Sequence, residues 1–132
     1  MCGIAGIVTP SQSSLRRGKV RRMVELLKHR GPDDNGIYED FEVCLGHARL
    51  AIIDLTAAAH QPMIEGQNVL VYNGEIYNYT ELRSQLENLG VTFQSFSDTE
   101  VLLKGYRVWG RDVVQKLKGM FSFAIWDADR RR

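Results

Sequence analysis

Apolar positions change their period along this chain, and the changes mark out its elements. GIAGIV at residues 3–8 is a continuous apolar run and reads as a short buried strand. Val20, Met23, Val24 and Leu27 stand at i, i+3, i+4 and i+7, which predicts a helix over about residues 16–29 with one apolar face. Arg16, Arg17, Lys19, Arg21 and Arg22 fill the rest of it and read as its solvated face. Gly31-Pro32-Asp33-Asp34-Asn35-Gly36 is dense in turn formers. Three β-like runs follow, at 43–47 (VCLGH), 49–53 (RLAII) and 68–72 (NVLVY). Thr80 is a candidate N-cap for a helix whose Leu82, Leu86 and Leu89 share a face and which Gly90 closes. Ser97-Asp98-Thr99-Glu100 has capping-box spacing and opens a helix predicted to end at Gly110. A short helical piece at 111–117 leads to Met120–Trp126 (MFSFAIW), a strand apolar on both faces and so expected inside layers. Together these elements predict an α+β sandwich of several layers.

Composition narrows the classes. A chain of 132 residues is one domain's worth. Lys plus Arg is 17 and Asp plus Glu is 16, a net charge of +1, too balanced for a protein that neutralises many phosphates. The basic helix face therefore reads as solvated surface, and no nucleic-acid partner is expected. An apolar fraction of 44% argues against disorder. No stretch reaches the ~20 apolar residues of a membrane span, and the apolar N-terminus lacks a basic segment and a cleavage pattern. Cys2 and Cys44 are too few for a disulfide scaffold or a four-thiolate zinc site, so reduced thiols in the cytoplasm are expected. Asn78-Tyr79-Thr80 matches a glycosylation acceptor and reads as a chance match.

Candidate chemistry starts from exclusions. The chain has no phosphate loop ending in GK[ST], no GxSxG elbow and no HExxH, and His29, His47 and His60 lack metal-site spacing. Cys44 lies mid-strand and reads as a small buried hydrophobe. Cys2 differs by position. Removal of Met1 would leave a cysteine bearing both a thiol (reference pKa ~8.5) and an α-amine (~7.7–8.0). The amine can take the thiol proton and return it to a leaving amine, so one residue supplies nucleophile and general base. An incidental second residue is the competing explanation. A thiolate that attacks a carboxamide needs donors for the oxyanion. Asn73-Gly74 could offer a side-chain amide and a backbone N–H, or could be a simple Asn-Gly turn.

Seven segments then occur in order: Met1-Cys2-Gly3-Ile4-Ala5-Gly6, His29-Arg30-Gly31-Pro32-Asp33, Gly46-His47-Ala48-Arg49-Leu50, Gln61-Pro62-Met63, Tyr72-Asn73-Gly74-Glu75-Ile76-Tyr77-Asn78, Ser97-Asp98-Thr99-Glu100 and Gly119-Met120-Phe121-Ser122-Phe123-Ala124. In that order the chain resembles the N-terminal glutaminase module of asparagine synthetases, the class II (N-terminal-nucleophile) glutamine amidotransferases. The resemblance implies a four-layer α/β/β/α sandwich and hydrolysis of L-glutamine to glutamate and ammonia. It casts Cys2 as nucleophile, and Asn73 and Gly74 as oxyanion donors. Arg49 corresponds to the holder of the α-carboxylate, which suits a planar guanidinium fork. Asp98 and Glu75 correspond to the acids around the α-ammonium, although an acid in a helix's first turn is favoured by the dipole anyway. Leu50, Ala51, Ile52 and Ile53 match a stretch whose backbone lines the substrate site. Arg30, His47 and Asp33 have no role beyond shaping loop and turn.

The resemblance implies no cofactor and no metal in this module. ATP and magnesium belong to the C-terminal synthetase domain of that family, which residues 1–132 do not include. The module is expected to be incomplete, with an unpaired edge beside Met120–Trp126 that favours marginal stability or self-association into a homo-oligomer. A catalytically silent fragment, or a binding module whose motifs are only turns and caps, remains as the alternative. A retained Met1 would block the α-amine.

Overall fold

The structure, a computed structural model, describes residues 2–9 and 15–132. Met1, at which processing is expected, lies outside the described residues. The element order is β1 (Gly3–Val8), α1 (Arg16–Leu26), β2 (Asp34–Glu39), β3 (Val43–Arg49), β4 (Met63–Glu65), β5 (Asn68–Ile76), α2 (Tyr79–Asn88), α3 (Asp98–Trp109), α4 (Val113–Lys116) and β6 (Gly119–Asp127). Two antiparallel three-stranded sheets form, ordered β1-β3-β2 and β4-β5-β6.

Three apolar clusters separate four layers. Val20 and Val24 of α1 pack on Cys44 and Ala48. Val43 and Leu45 meet Val69, Val71 and Trp126 between the sheets. Leu70, Tyr72 and Ile76 meet Leu82, Leu86, Val101, Leu102 and Leu103 of α2 and α3. The order is helix, sheet, sheet, helices, which is the predicted α/β/β/α sandwich. Strand alternation assigns the faces. On β3 the odd positions 43 and 45 face the other sheet, and on β5 the odd positions 69 and 71 face back. Cys44 is buried against α1, and burial pushes its thiol up, as fits a small core residue.

Several elements differ from expectation, each for a physical reason. Residues 49–53 do not continue a strand. Gly3 pairs with Ala48 and Asp34 with Arg49, so both neighbouring strands have run out where Leu50 begins. The turn-rich 31–36 segment is only half a turn, because Asp34, Asn35 and Gly36 pair with Arg49, Ala48 and His47. Its polar residues hid β2, and the brevity of β4 hid that strand. The first helix stops at Leu26. Arg16 leaves its solvated face: its side chain is buried and bonds Glu39, Thr9 and the carbonyls of Asp40 and Phe41. Asn78, not Thr80, occupies the N-cap position of α2, and Leu89 is exposed.

Ser97 caps α3 by accepting from Glu100 N–H, but Glu100 does not reach back. Its carboxylate binds Gln94 N–H, Ser95 N–H and the Ser95 hydroxyl instead. β6 is half-buried on one face and buried only at one end of the other. Phe121, Phe123 and Ile125 pack on the helix side, Trp126 joins the layer between the sheets, and Met120, Ser122 and Ala124 are exposed. Asn78 has structural work in place of glycosylation: its amide donates to Lys116 C=O (2.9 Å) and accepts from Lys118 N–H (2.9 Å), which sets β6 beside β5.

Candidate active site

The layer between the sheets changes character along its length. Its apolar end holds Val43, Leu45, Val69 and Val71, and two residues further on the same faces carry His47, Arg49, Asn73 and Glu75. A cavity of about 180 Å³ opens at this polar end. Cys2, Arg49, Leu50, Ala51, Ile52, Ile53, Gly74, Glu75 and Asp98 all line it, so nine of the ten anticipated site residues converge. Asn73 is the tenth. It precedes Gly74 within β5, where its side-chain oxygen is buried without a partner. The Asn-Gly pair is therefore mid-strand, not a turn.

Cys2 sits just before β1, and its Sγ accepts from Leu50 N–H (3.3 Å) and donates to Leu50 C=O (3.6 Å). Arg30 Nε donates to the Cys2 carbonyl (3.0 Å), and Asp33 accepts from Ala51 N–H (2.8 Å). Arg30 and Asp33, two of the three residues without an assigned role, therefore brace Cys2 and the loop beside it. Gly74 needs to be glycine. A Cβ there would stand 2.3 Å from Met120 O and 2.5 Å from Phe121 Cα, with φ at 155°. Its N–H points away from β6, toward the cavity, by strand alternation.

The charges are unusual. Arg49 is 7% exposed and donates to the carbonyls of Asp54 and Thr56, yet no carboxylate pairs with it among the described residues. Asp98 is 4% exposed and accepts from Tyr72 O–H (2.6 Å) and Ile76 N–H (3.1 Å), with no cation beside it among the described residues. Burial raises the Asp98 pKa above its ordinary value, and these hydrogen bonds only partly offset it. Burial and the Asp98 hydrogen bond push the Tyr72 phenol up as well, so it stays protonated and donates. Buried charge is costly unless closely paired; Asp34 and Asp54 act on Arg49 only beyond salt-bridge distance, so two incompletely compensated groups of opposite sign face one cavity. Asp54, Ala59, Gln61, Tyr72, Ser97, Thr99 and Met120 complete the wall and were not anticipated. Gln61, Tyr72, Ser97, Thr99 and Met120 lay in quoted segments without an assigned site role, and Asp54 and Ala59 carry no signal apart from the fold.

The profile of the glutamine amidotransferase domain matches residues 1–132. The chain belongs to the glutamine amidotransferase family. Its curated relatives include asparagine synthetase [glutamine-hydrolyzing] 1 of Bacillus subtilis, at 40% identity over 96% of this chain and 21% of that protein. Asparagine synthetase B of Escherichia coli matches at 39% identity over 98% of this chain and 24% of that protein. The amidotransferase chain thus spans under a quarter of these relatives' length. Among solved structures, the glutamine phosphoribosylpyrophosphate amidotransferase of B. subtilis superposes with a TM-score of 0.80 at 23% identity, over 97% of this chain and 35% of that one. That likeness concerns the fold, the four-layer sandwich described above.

Proposed function

We propose that this domain hydrolyses L-glutamine with Cys2 as nucleophile. The observation that carries the reading is the pair of buried groups of opposite sign, Arg49 and Asp98, neither in a salt bridge among the described residues. Arg49 suits an α-carboxylate, and Asp98, with Glu75 at the cavity wall, suits an α-ammonium. A free amino acid presents both charges on one carbon, and its side chain then extends toward Cys2. Family membership and glutamine-hydrolysing relatives support the same choice.

The steps balance without a cofactor in this domain. Once Met1 is removed, the α-amine of Cys2 takes the thiol proton and Sγ attacks the side-chain amide carbon. Asn73 Nδ2 and Gly74 N–H hold the oxyanion. The proton passes to the departing nitrogen, ammonia leaves, and a γ-glutamyl thioester remains. Water cleaves the thioester, releasing glutamate and restoring the thiol. In a longer protein of the relatives' kind, ammonia would pass to a synthetase part that activates its acceptor with ATP and magnesium. Free Cys2 and Cys44 support a reducing, cytoplasmic setting, and no helix among the described residues is long and apolar enough to cross a membrane.

The test compares glutamate release by the parent and Cys2→Ala. A fall of at least about 10³-fold is expected, by analogy with other covalent nucleophiles. Equal rates, or a parent that releases no glutamate, would refute the reading. Glutamine analogues lacking the α-carboxylate should fail to compete, and equal competition would remove Arg49 from its role.

A further inference from the structure

β5 outruns one of its neighbours. β4 pairs as far as Met63 opposite Leu70, so the peptide groups of residues 72, 74 and 76 on that side have no strand to bond. Side chains take the strand's place. Tyr72 N–H donates to Gln61 Oε1 (2.7 Å), and His47 Nε2 donates to Tyr72 C=O (3.0 Å). Ile76 N–H donates to Asp98, as above. Gly74 N–H lies between these held points and faces the cavity.

His47 is an expensive way to satisfy one carbonyl. It is fully buried, and its Nδ1 has no partner. Because a carbonyl only accepts, the proton sits on Nε2, and the ring is the neutral tautomer. Val43 and Leu45 fill the preceding positions of the same face with apolar side chains, so filling the layer does not itself require an imidazole. Gln61 is also buried, and its amide nitrogen reaches Thr99 Oγ1 (3.4 Å) beside Asp98. The two side chains therefore hold the peptide groups on either side of the Tyr72 Cα, one from β3 and one from just before β4.

We propose that His47 and Gln61 are positioning residues: a two-point clamp on Tyr72 that substitutes for the missing strand and aims the Asn73 and Gly74 donors. The proposal rests on the glutaminase reading above. Oxyanion donors act only when held within about 0.5 Å of their target, and an unclamped strand segment would not hold them there. His47 does not line the cavity, and Gln61, which does, commits its amide to Tyr72 and Thr99. Its loss should spare ground-state binding through Arg49 and Asp98 and impair the transition state.

The experiment measures kcat and KM for glutamate release by the parent, His47→Leu, His47→Gln and Gln61→Met, with a thermal melt of each. His47→Leu and Gln61→Met should lower kcat by about 10- to 100-fold with KM within about threefold. His47→Gln, which keeps an N–H at a similar reach, should recover most of the loss. Should His47→Leu not fold, Gln61→Met against the parent decides the matter. An active parent whose Gln61→Met variant keeps kcat, or whose variants change KM alone, would overturn the clamp and leave the glutaminase reading standing. A parent without Cys2-dependent turnover would overturn both.

Discussion

The two ends of the layer between the sheets are built from the same strands in the same register, yet they behave as different materials. At one end Val43, Leu45, Val69, Val71 and Trp126 close on each other, and the one polar side-chain group among them, the Trp126 N–H, donates to Asp40. At the other, His47, Arg49 and Asn73 occupy the same faces two residues on; His47 Nδ1 and Asn73 Oδ1 lack a partner among the described residues, and Arg49 lacks a salt bridge. The first end adds stability by burying apolar area. The second gives some of it up, because buried charge and orphan polar atoms are costly, and leaves a cavity shaped for a charged guest. A functional site here is the place where strand alternation continues but the core chemistry stops.

The contrast can be broken from either end. The largest stability effect belongs to the apolar end. Leu45→Ala should cost about 2–5 kcal/mol in urea unfolding while kcat and KM of the folded protein stay unchanged. A proportional loss of turnover in fully folded protein would show that the ends are coupled. Asn73→Ala should do the reverse. It should lower kcat by about 10²–10³-fold, or ~3–4 kcal/mol, and leave the unfolding midpoint level or slightly raised, since it removes a buried oxygen without a partner.

His47 sharpens the comparison through pH. Burial holds its pKa down to about 4, against about 6.5 when exposed. Between those values the unfolded chain binds a proton that the folded chain refuses, so stability falls as pH drops. The shift corresponds to about 3 kcal/mol, lost progressively from pH ~6.5 to ~4. Urea midpoints at the two ends of that window should differ more for the parent than for His47→Gln, and identical differences would refute the assignment. Asp98 gives the smallest effect and the opposite sign. Its raised pKa means the carboxyl form is favoured in the fold, so its contribution is full below the unfolded pKa and is lost as pH rises through the folded one. Asp98→Asn keeps an oxygen for Tyr72 and Ile76 and removes the charge. It should raise the melting temperature at pH 7 and raise KM for glutamine about 10-fold or more. A lowered KM would contradict the ammonium role.

Much of this was legible in residue order. The apolar run 3–8, the 3.6-residue period of Val20 and Val24, and the Ser97 cap are local signals, and local geometry alone satisfies them. Motif order assigned Cys2, Arg49, Gly74 and Asp98 to one site, and all four line the cavity. The rest depended on partners distant in sequence. RLAII is as strand-like as its neighbours, but a strand needs a ladder, and β1 and β2 end beside Ala48 and Arg49. Arg16 looks like a surface charge until the carbonyls of the β2–β3 turn close around it. MFSFAIW is apolar at both parities, yet sheet packing covers the even face only at Trp126. The sequence by itself determined the alternation, the caps and which chemical groups were at hand. Tertiary structure alone decided where each strand loses its neighbour. That is where backbone N–H groups become free, and so where His47, Gln61 and Asp98 hold β5 and Gly74 is left facing the cavity.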